Sequence, residues 1–285
     1  LINRVAAVVR RALVDARVTS YSDKAHLGLA RHLQVAIERR SQTAQVVMVA
    51  NSATPEPLAA CLDLIRERLG GELHSLWFNA HCERSNSILG PEFHRWCGPA
   101  STVEHFGGAA VHYPPGAFGQ NNLDIAELII EHVRGQIPPG ARVAEFYAGV
   151  GAIGLSVLDR TEEIRMNEAG THSLLGLELG LAELDPANRA KISVVPGSAG
   201  AARLAASGAQ VVIADPPRKG LDPELTEYLI EHPPERFLYV SCGLESFLRD
   251  CAQLTRGKLR LCALNAFNLM PFTEHVETLA RFERI

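Results

Sequence analysis

Three stretches of this 285-residue chain place reactive side chains just where a strand-like run gives out. The apolar run Phe237-Leu238-Tyr239-Val240-Ser241 leads to Cys242 and Gly243, and Val211-Val212-Ile213-Ala214 leads to Asp215, followed by Pro216-Pro217-Arg218-Lys219-Gly220. Near the C-terminus, Met270-Pro271-Phe272-Thr273-Glu274-His275-Val276 runs into Glu277-Thr278. A cysteine ending an apolar strand is, taken alone, more often a small core residue than a reagent. Its company changes the reading. A thiolate is a nucleophile, a carboxylate removes protons, and an acid at the carboxyl end of a parallel strand stands in a ligand crevice. A free thiol has a pKa of ~8.5, so some local activation of Cys242 is expected.

A fourth stretch, Glu145-Phe146-Tyr147-Ala148-Gly149-Val150-Gly151-Ala152-Ile153-Gly154-Leu155, sets glycines between a strand and a helix, where backbone can pass close to a ligand. Gly149-x-Gly151-x-x-Gly154 matches the dinucleotide fingerprint literally. Two features point instead to S-adenosylmethionine. Glu145 stands just before the glycines, where a cationic cofactor rather than a pyrophosphate would be met. Glu168 ends the following strand, where it can accept hydrogen bonds from ribose hydroxyls, although dinucleotide enzymes share this device. Methyltransferases acting on exocyclic amines carry an aromatic residue where Arg218 stands. A guanidinium stacks on a base or holds a phosphate but accepts no proton, which argues against N-methylation. A uracil ring suits the remaining groups. Its carbon 5 is too weakly nucleophilic to attack a sulfonium methyl until a thiolate adds to carbon 6, and a base must finally remove the carbon-5 proton so that the thiol can leave.

These residues need a scaffold that brings strand ends together. Strand-like segments at 142–146, 163–167, 192–196, 211–214 and 237–241 alternate with helical stretches after a helix at Leu123–Arg134, and a late pair, 259–265 and 276–282, closes the chain. That alternation predicts an α/β fold with a doubly wound, mostly parallel sheet over residues 116–285. Residues 1–115 read as a smaller mixed α/β domain: a helix at 2–17, a hairpin around Arg39–Gln42, a helix at 57–69 stopped by Gly70-Gly71, and short strands at 75–79 and 109–112. Tyr113-Pro114-Pro115-Gly116 marks the boundary.

With these motifs in this order, the chain resembles the RNA uracil-5 methyltransferase family, whose members make 5-methyluridine in transfer or ribosomal RNA. The likeness covers nearly the whole chain and includes Phe118-Gly119-Gln120-Asn121-Asn122, the 145–155 loop, 215–220, 239–243 and 271–277. In the first domain, 28–32 and 86–90 resemble the family's central domain, which implies RNA contact there. The resemblance implies a seven-stranded Rossmann-like methyltransferase sheet and S-adenosylmethionine as cofactor. It implies Cys242 as nucleophile and Glu277 as the base that removes the carbon-5 proton. Gln120, Tyr147, Gly149, Gly151, Glu168 and Asp215 are expected at the cofactor, and Arg218, Asp215 and Gln120 at the substrate, a loop uridine of tRNA or rRNA. Related cytosine enzymes carry a second cysteine after the proline of the Asp-Pro segment, which Pro217-Arg218 lacks, so uracil is preferred. A cytosine or small-molecule methyltransferase, and a catalytically weakened RNA-binding relative, are the alternatives. Gly243, Ala152 and Ser198 depart from the family pattern, and the family's upstream β-barrel and four-cysteine iron–sulfur motif do not occur in this sequence.

The bulk properties fit these expectations. Net charge is −4, but residues 1–115 hold 12 Lys/Arg against 10 Asp/Glu, leaving 16 against 22 for the rest. The six cysteines make no C-x-x-C pair and show no zinc-like spacing, so no metal site and a reducing cytoplasm are expected. No apolar run approaches the ~20 residues of a membrane span. No obligate protein partner is evident.

Overall fold

The computed structural model describes all 285 residues, in two compact units: Leu1–Glu104 with Tyr113–Gly116, and His105–His112 with Ala117–Ile285. In the first, helix α1 (Ile2–Asp15) turns Val5, Val9 and Ala12 inward from a one-sided apolar stripe. Strands β1 (Ala30–Glu38) and β2 (Thr43–Ala50) pair antiparallel, and α2 (Ala59–Leu69) crosses over to β3 (Leu73–Ala80), which lies parallel to β2. β4 (Glu92–Cys97) pairs antiparallel with β3 on the far side, giving the order β1-β2-β3-β4. Val46, Met48, Leu58, Cys61, Leu62, Ile65, Leu76 and Phe78 form the core with the α1 residues. Strands β5 (Thr102–Phe106) and β6 (Ala109–Tyr113) form a separate two-stranded sheet, and His105–His112 cluster with the second unit rather than, as the sequence suggested, with the first.

The second unit starts its regular structure with α3 (Leu123–Gly135), whose first turn is capped by the Asn122 side chain accepting from the Ile125 N–H. Then follow β7 (Ala141–Phe146), α4 (Ala152–Ser156), β8 (Thr161–Glu168), α5 (Thr171–Ala182), α6 (Pro186–Ala190) and β9 (Ile192–Pro196). β10 (Val211–Ala214), α7 (Pro223–Glu231), β11 (Arg236–Ser241), α8 (Leu244–Leu254), β12 (Leu259–Phe267) and β13 (Glu277–Arg284) complete the chain. The sheet order is β12-β13-β11-β10-β7-β8-β9, with β11 through β9 parallel and β13 antiparallel to both its neighbours. This is the doubly wound, mostly parallel arrangement expected from the alternation, with the seven strands that the resemblance implied. The four residues of β10 and Phe237–Val240 of β11 are all buried, as parallel strands covered on both faces require.

Chain order sets the position of the crevice. From β7 the chain winds outward through β8 to β9, then returns to β10 on β7's other side. The carboxyl ends of β7 and β10 therefore flank the topological switch point, where open α/β sheets bind ligands. No helix is long and apolar enough to cross a membrane.

Candidate active site

Cys242 and Glu277 come together through strand register. Ser241 of β11 pairs with Thr278 of β13, so one step further along this antiparallel ladder Cys242 stands opposite Glu277. The Thr278 hydroxyl donates to the Ser241 carbonyl at 3.2 Å, which pins the ladder at that end. In the parallel ladders Ala214 aligns with Tyr239 on one side and Phe146 on the other, so Asp215 leaves the sheet beside β11 and next to Tyr147. Gly243 packs so closely that a Cβ there would lie 2.9 Å from the Arg218 carbonyl oxygen, which brings the Asp215–Gly220 turn against the residue after the thiol.

The electrostatics follow from this crowding. Glu277 is 3% exposed, and its carboxyl makes no hydrogen bond within the protein. Burial, with the neighbouring Asp215 carboxylate, pushes its pKa up to about 8. Burial alone carries Asp215 up to about 7. Contrary to the activation expected from the sequence, the Cys242 thiol is also raised, by burial first, then by the negative charges of Glu277 and Asp215, with the Arg218 cation pulling the other way. Arg218 itself is exposed, and its guanidinium makes no hydrogen bond within the protein. The group is thus poor in positive charge. It favours a ligand that brings a cation of its own.

Around the switch point the loops are stitched by side chains. Glu168 accepts from the Gly149 N–H at 2.7 Å through one carboxylate oxygen and from the Ala169 and Gly170 N–H groups through the other. Gly149 and Gly151 both lie in the left-handed region, at φ 58° and 86°, and a Cβ on Gly149 would meet nothing within 4 Å. Gly149 therefore presents bare backbone to open space, a cradle for a ligand, whereas Gly151 packs inward, a Cβ there lying 2.7 Å from Leu177 Cδ1. Tyr147 shares the left-handed conformation at φ 59°, and its hydroxyl accepts from the Asp222 N–H at 2.8 Å. Gln120 is half-buried just before α3 and joins none of these hydrogen bonds.

Residues 201–285 match the family model described as tRNA (Uracil-5-)-methyltransferase. Over 289 aligned residues the chain is 32% identical to an uncharacterized RNA methyltransferase of Protochlamydia amoebophila, covering 99% of this chain and 76% of that protein. The chain belongs to the RNA uracil-5 methyltransferase family. A second RNA methyltransferase, from Gloeobacter violaceus, is 29% identical over 93% of this chain, which spans 57% of that relative's length. The fold is that of a Pyrococcus abyssi tRNA (uracil-54, C5)-methyltransferase solved with S-adenosyl-L-homocysteine, at a TM-score of 0.82 and 21% identity, covering 99% of this chain and 67% of that one.

The family's cofactor, S-adenosylmethionine, fits what this crevice offers. The bare Gly149 backbone, the Glu168 carboxylate and the raised acids suit a ligand carrying hydroxyls and positive charge. Glu145 requires a correction. The sequence places it to meet the cofactor, yet it is 2% exposed and turned toward α4, and a Cβ on Gly154 would lie 2.2 Å from its Oε2. It acts beneath the glycine loop rather than on its open side. Two organising residues escape the sequence reading. Buried Asn167 donates to the Val195 and Gly197 carbonyls, both at 2.8 Å, and shapes the loop after β9. Asp222 joins three loops: its carboxylate accepts from the Gly200 N–H and the Lys219 ammonium, and its own N–H holds Tyr147. Ser198, one of the departures from the family pattern, accepts at 3.3 Å from the Ala201 N–H.

Proposed function

We propose that the chain transfers a methyl group from S-adenosylmethionine to carbon 5 of an unpaired uridine in tRNA or rRNA, through a covalent bond between Cys242 and the base. The observation that carries this reading is the register that sets a thiol and a buried, hydrogen-bond-free carboxyl opposite each other at a ligand crevice. The cofactor supplies an electrophilic methyl on a sulfonium. Cys242 adds as thiolate to carbon 6, which makes carbon 5 nucleophilic toward that methyl. Arg218 faces the pyrimidine or its phosphate, and Asp215 holds the polar edge between base and cofactor. Glu277 then takes the carbon-5 proton, the Cys242–carbon-6 bond breaks, and the thiolate returns. Because one carbon must meet both groups, the base leaves any stack, at a cost of roughly a few kcal/mol, so a loop uridine is favoured over a paired one.

The test is nucleoside mass analysis of RNA incubated with the purified chain and S-adenosylmethionine. We expect 5-methyluridine from the unaltered chain and none from Cys242→Ala, with cofactor binding retained in the variant. A Cys242→Ala protein that still forms 5-methyluridine, or an unaltered chain that methylates only cytidine, overturns the reading.

A further inference from the structure

The acid Asp250 on α8 takes no part in this chemistry, yet it is 2% exposed and accepts four hydrogen bonds. Burying a carboxylate costs several kcal/mol unless its partners are well placed, and an apolar residue could hold α8 on the sheet without that cost. What the charge adds is direction. Asp250 Oδ2 accepts from the Tyr239 hydroxyl of β11 at 2.7 Å and from the Leu221 N–H at 2.9 Å. Arg249, bound to the Asp250 carboxylate through Nε and Nη2, donates from Nη2 to the Lys219 carbonyl at 2.6 Å. Two adjacent residues of one helix thus hold both sides of Gly220. That residue must be small, since a Cβ on it would lie 2.3 Å from Asp250 Oδ2 and 2.6 Å from Arg249 Nη2.

We propose that Arg249 and Asp250 form a positioning pair that fixes the 218–221 turn against β11 and thereby presents Arg218 to Cys242. The proposal rests on Cys242 being the nucleophile. The guanidinium of Arg218 has no hydrogen bond of its own to hold it, so its place is set by its backbone. That backbone is held by Arg249 and Asp250 of α8 and packs against Gly243, the residue after the thiol. The charged groups acting on Cys242 are Glu277 from β13, Asp215 from the end of β10 and Arg218 from the turn, and only the last favours the thiolate. A turn released from Arg249 and Asp250 lets that cation drift and leaves Cys242 facing two acids.

The experiment needs neither RNA nor cofactor. Iodoacetamide alkylation of Cys242 in the full chain is followed against pH by peptide mass spectrometry, which separates it from the other five cysteines. Arg218→Ala is expected to slow alkylation near pH 8 by about threefold, because less of the thiol is then ionised. Arg249→Ala should slow it equally, Arg249→Lys less, and the Arg218→Ala/Arg249→Ala double variant no more than either alone, because both act through one cation. Arg249 is half-exposed, so its replacement spares the core. Asp250→Asn, checked for folding by its thermal melt, should follow Arg249→Ala. Wild-type alkylation in Arg249→Ala, effects that add in the double variant, or no effect of Arg218→Ala each overturn the proposal. If the unaltered chain forms no methylated uridine, the proposed function fails while this alkylation cycle still decides the positioning role.

Discussion

At the scale of single residues, the site is a set of acids that hold protons too tightly for their task until a cation joins them. Asp215 near 7 and Glu277 near 8 are partly protonated at neutral pH, and the proposed base role of Glu277 requires its ionised form. A sulfonium in the crevice favours the ionised forms and lowers these values. Binding of S-adenosylmethionine at pH 7.5 should therefore release protons. Calorimetry in buffers of different ionisation enthalpy would read this directly, and proton uptake would contradict it. In the proposed reaction Glu277 also divides the steps in time. Glu277→Gln leaves Cys242 free to add and the methyl free to transfer, but removes the acceptor for the carbon-5 proton. Turnover should fall by about 10²–10⁴-fold, the usual worth of a general base. A protein–RNA adduct carrying the new methyl should accumulate on denaturing gels with methyl-labelled cofactor. Free product at the wild-type rate would remove Glu277 from the base role. The pairing of Cys242 with Glu277 was legible in the sequence as residue types, but the register that opposes them was not, because 34 residues and a whole strand intervene.

At the scale of elements, the reading of the sequence succeeded where strand and helix alternate with glycine turns and thinned out where packing decides. The five parallel strands were legible because each is a short run, apolar or alternating, closed near a turn residue. β4, Glu-Phe-His-Arg-Trp-Cys, escaped because an edge strand carries charges and an irregular burial pattern. β5 escaped because its five residues show little periodicity. Asp250 escaped because its meaning lies in partners 11 and 29 residues away. Glu145 gives an element-scale prediction. Enclosed between β7 and α4, it has no hydrogen-bond partner for Oε2, and burial pushes its pKa from 4.5 up to about 8. A carboxyl raised on folding takes up a proton as the chain folds. The stability it lends is complete below pH 4.5 and is lost as pH rises through about 8. Glu145→Gln keeps the shape without the charge, so its melting temperature relative to the cofactor-free wild type should climb between pH 5 and pH 8 and level off above. The rise should amount to several degrees, at ~1.4 kcal/mol per pKa unit. A difference independent of pH would show that Glu145 ionises freely.

At the scale of the whole molecule, the charge distribution limits how RNA can be held. The net charge is −4, and the excess of acids lies in residues 116–285, which contain the crevice. The basic residues of the first unit are in part already committed. Arg4 pairs with Glu72, Arg11 and Arg68 with Asp15, Arg66 with Asp63, and Arg39 with Glu104. Arg10, Arg17, Arg40, Arg84 and Arg95 are exposed and form no ion pair, so only a few cations are free to meet phosphates. Each phosphate neutralised on a single strand contributes about −0.7 to the slope of log affinity against log salt. With about three contacts, affinity should fall by roughly tenfold or more between 50 and 200 mM salt, from a value that is modest at the outset. Fluorescence anisotropy with a labelled uridine-containing hairpin would measure both quantities. A chain of this charge that bound the hairpin tightly and without salt dependence would have to hold it by stacking and base contacts. The phosphate account of its RNA recognition would then be wrong.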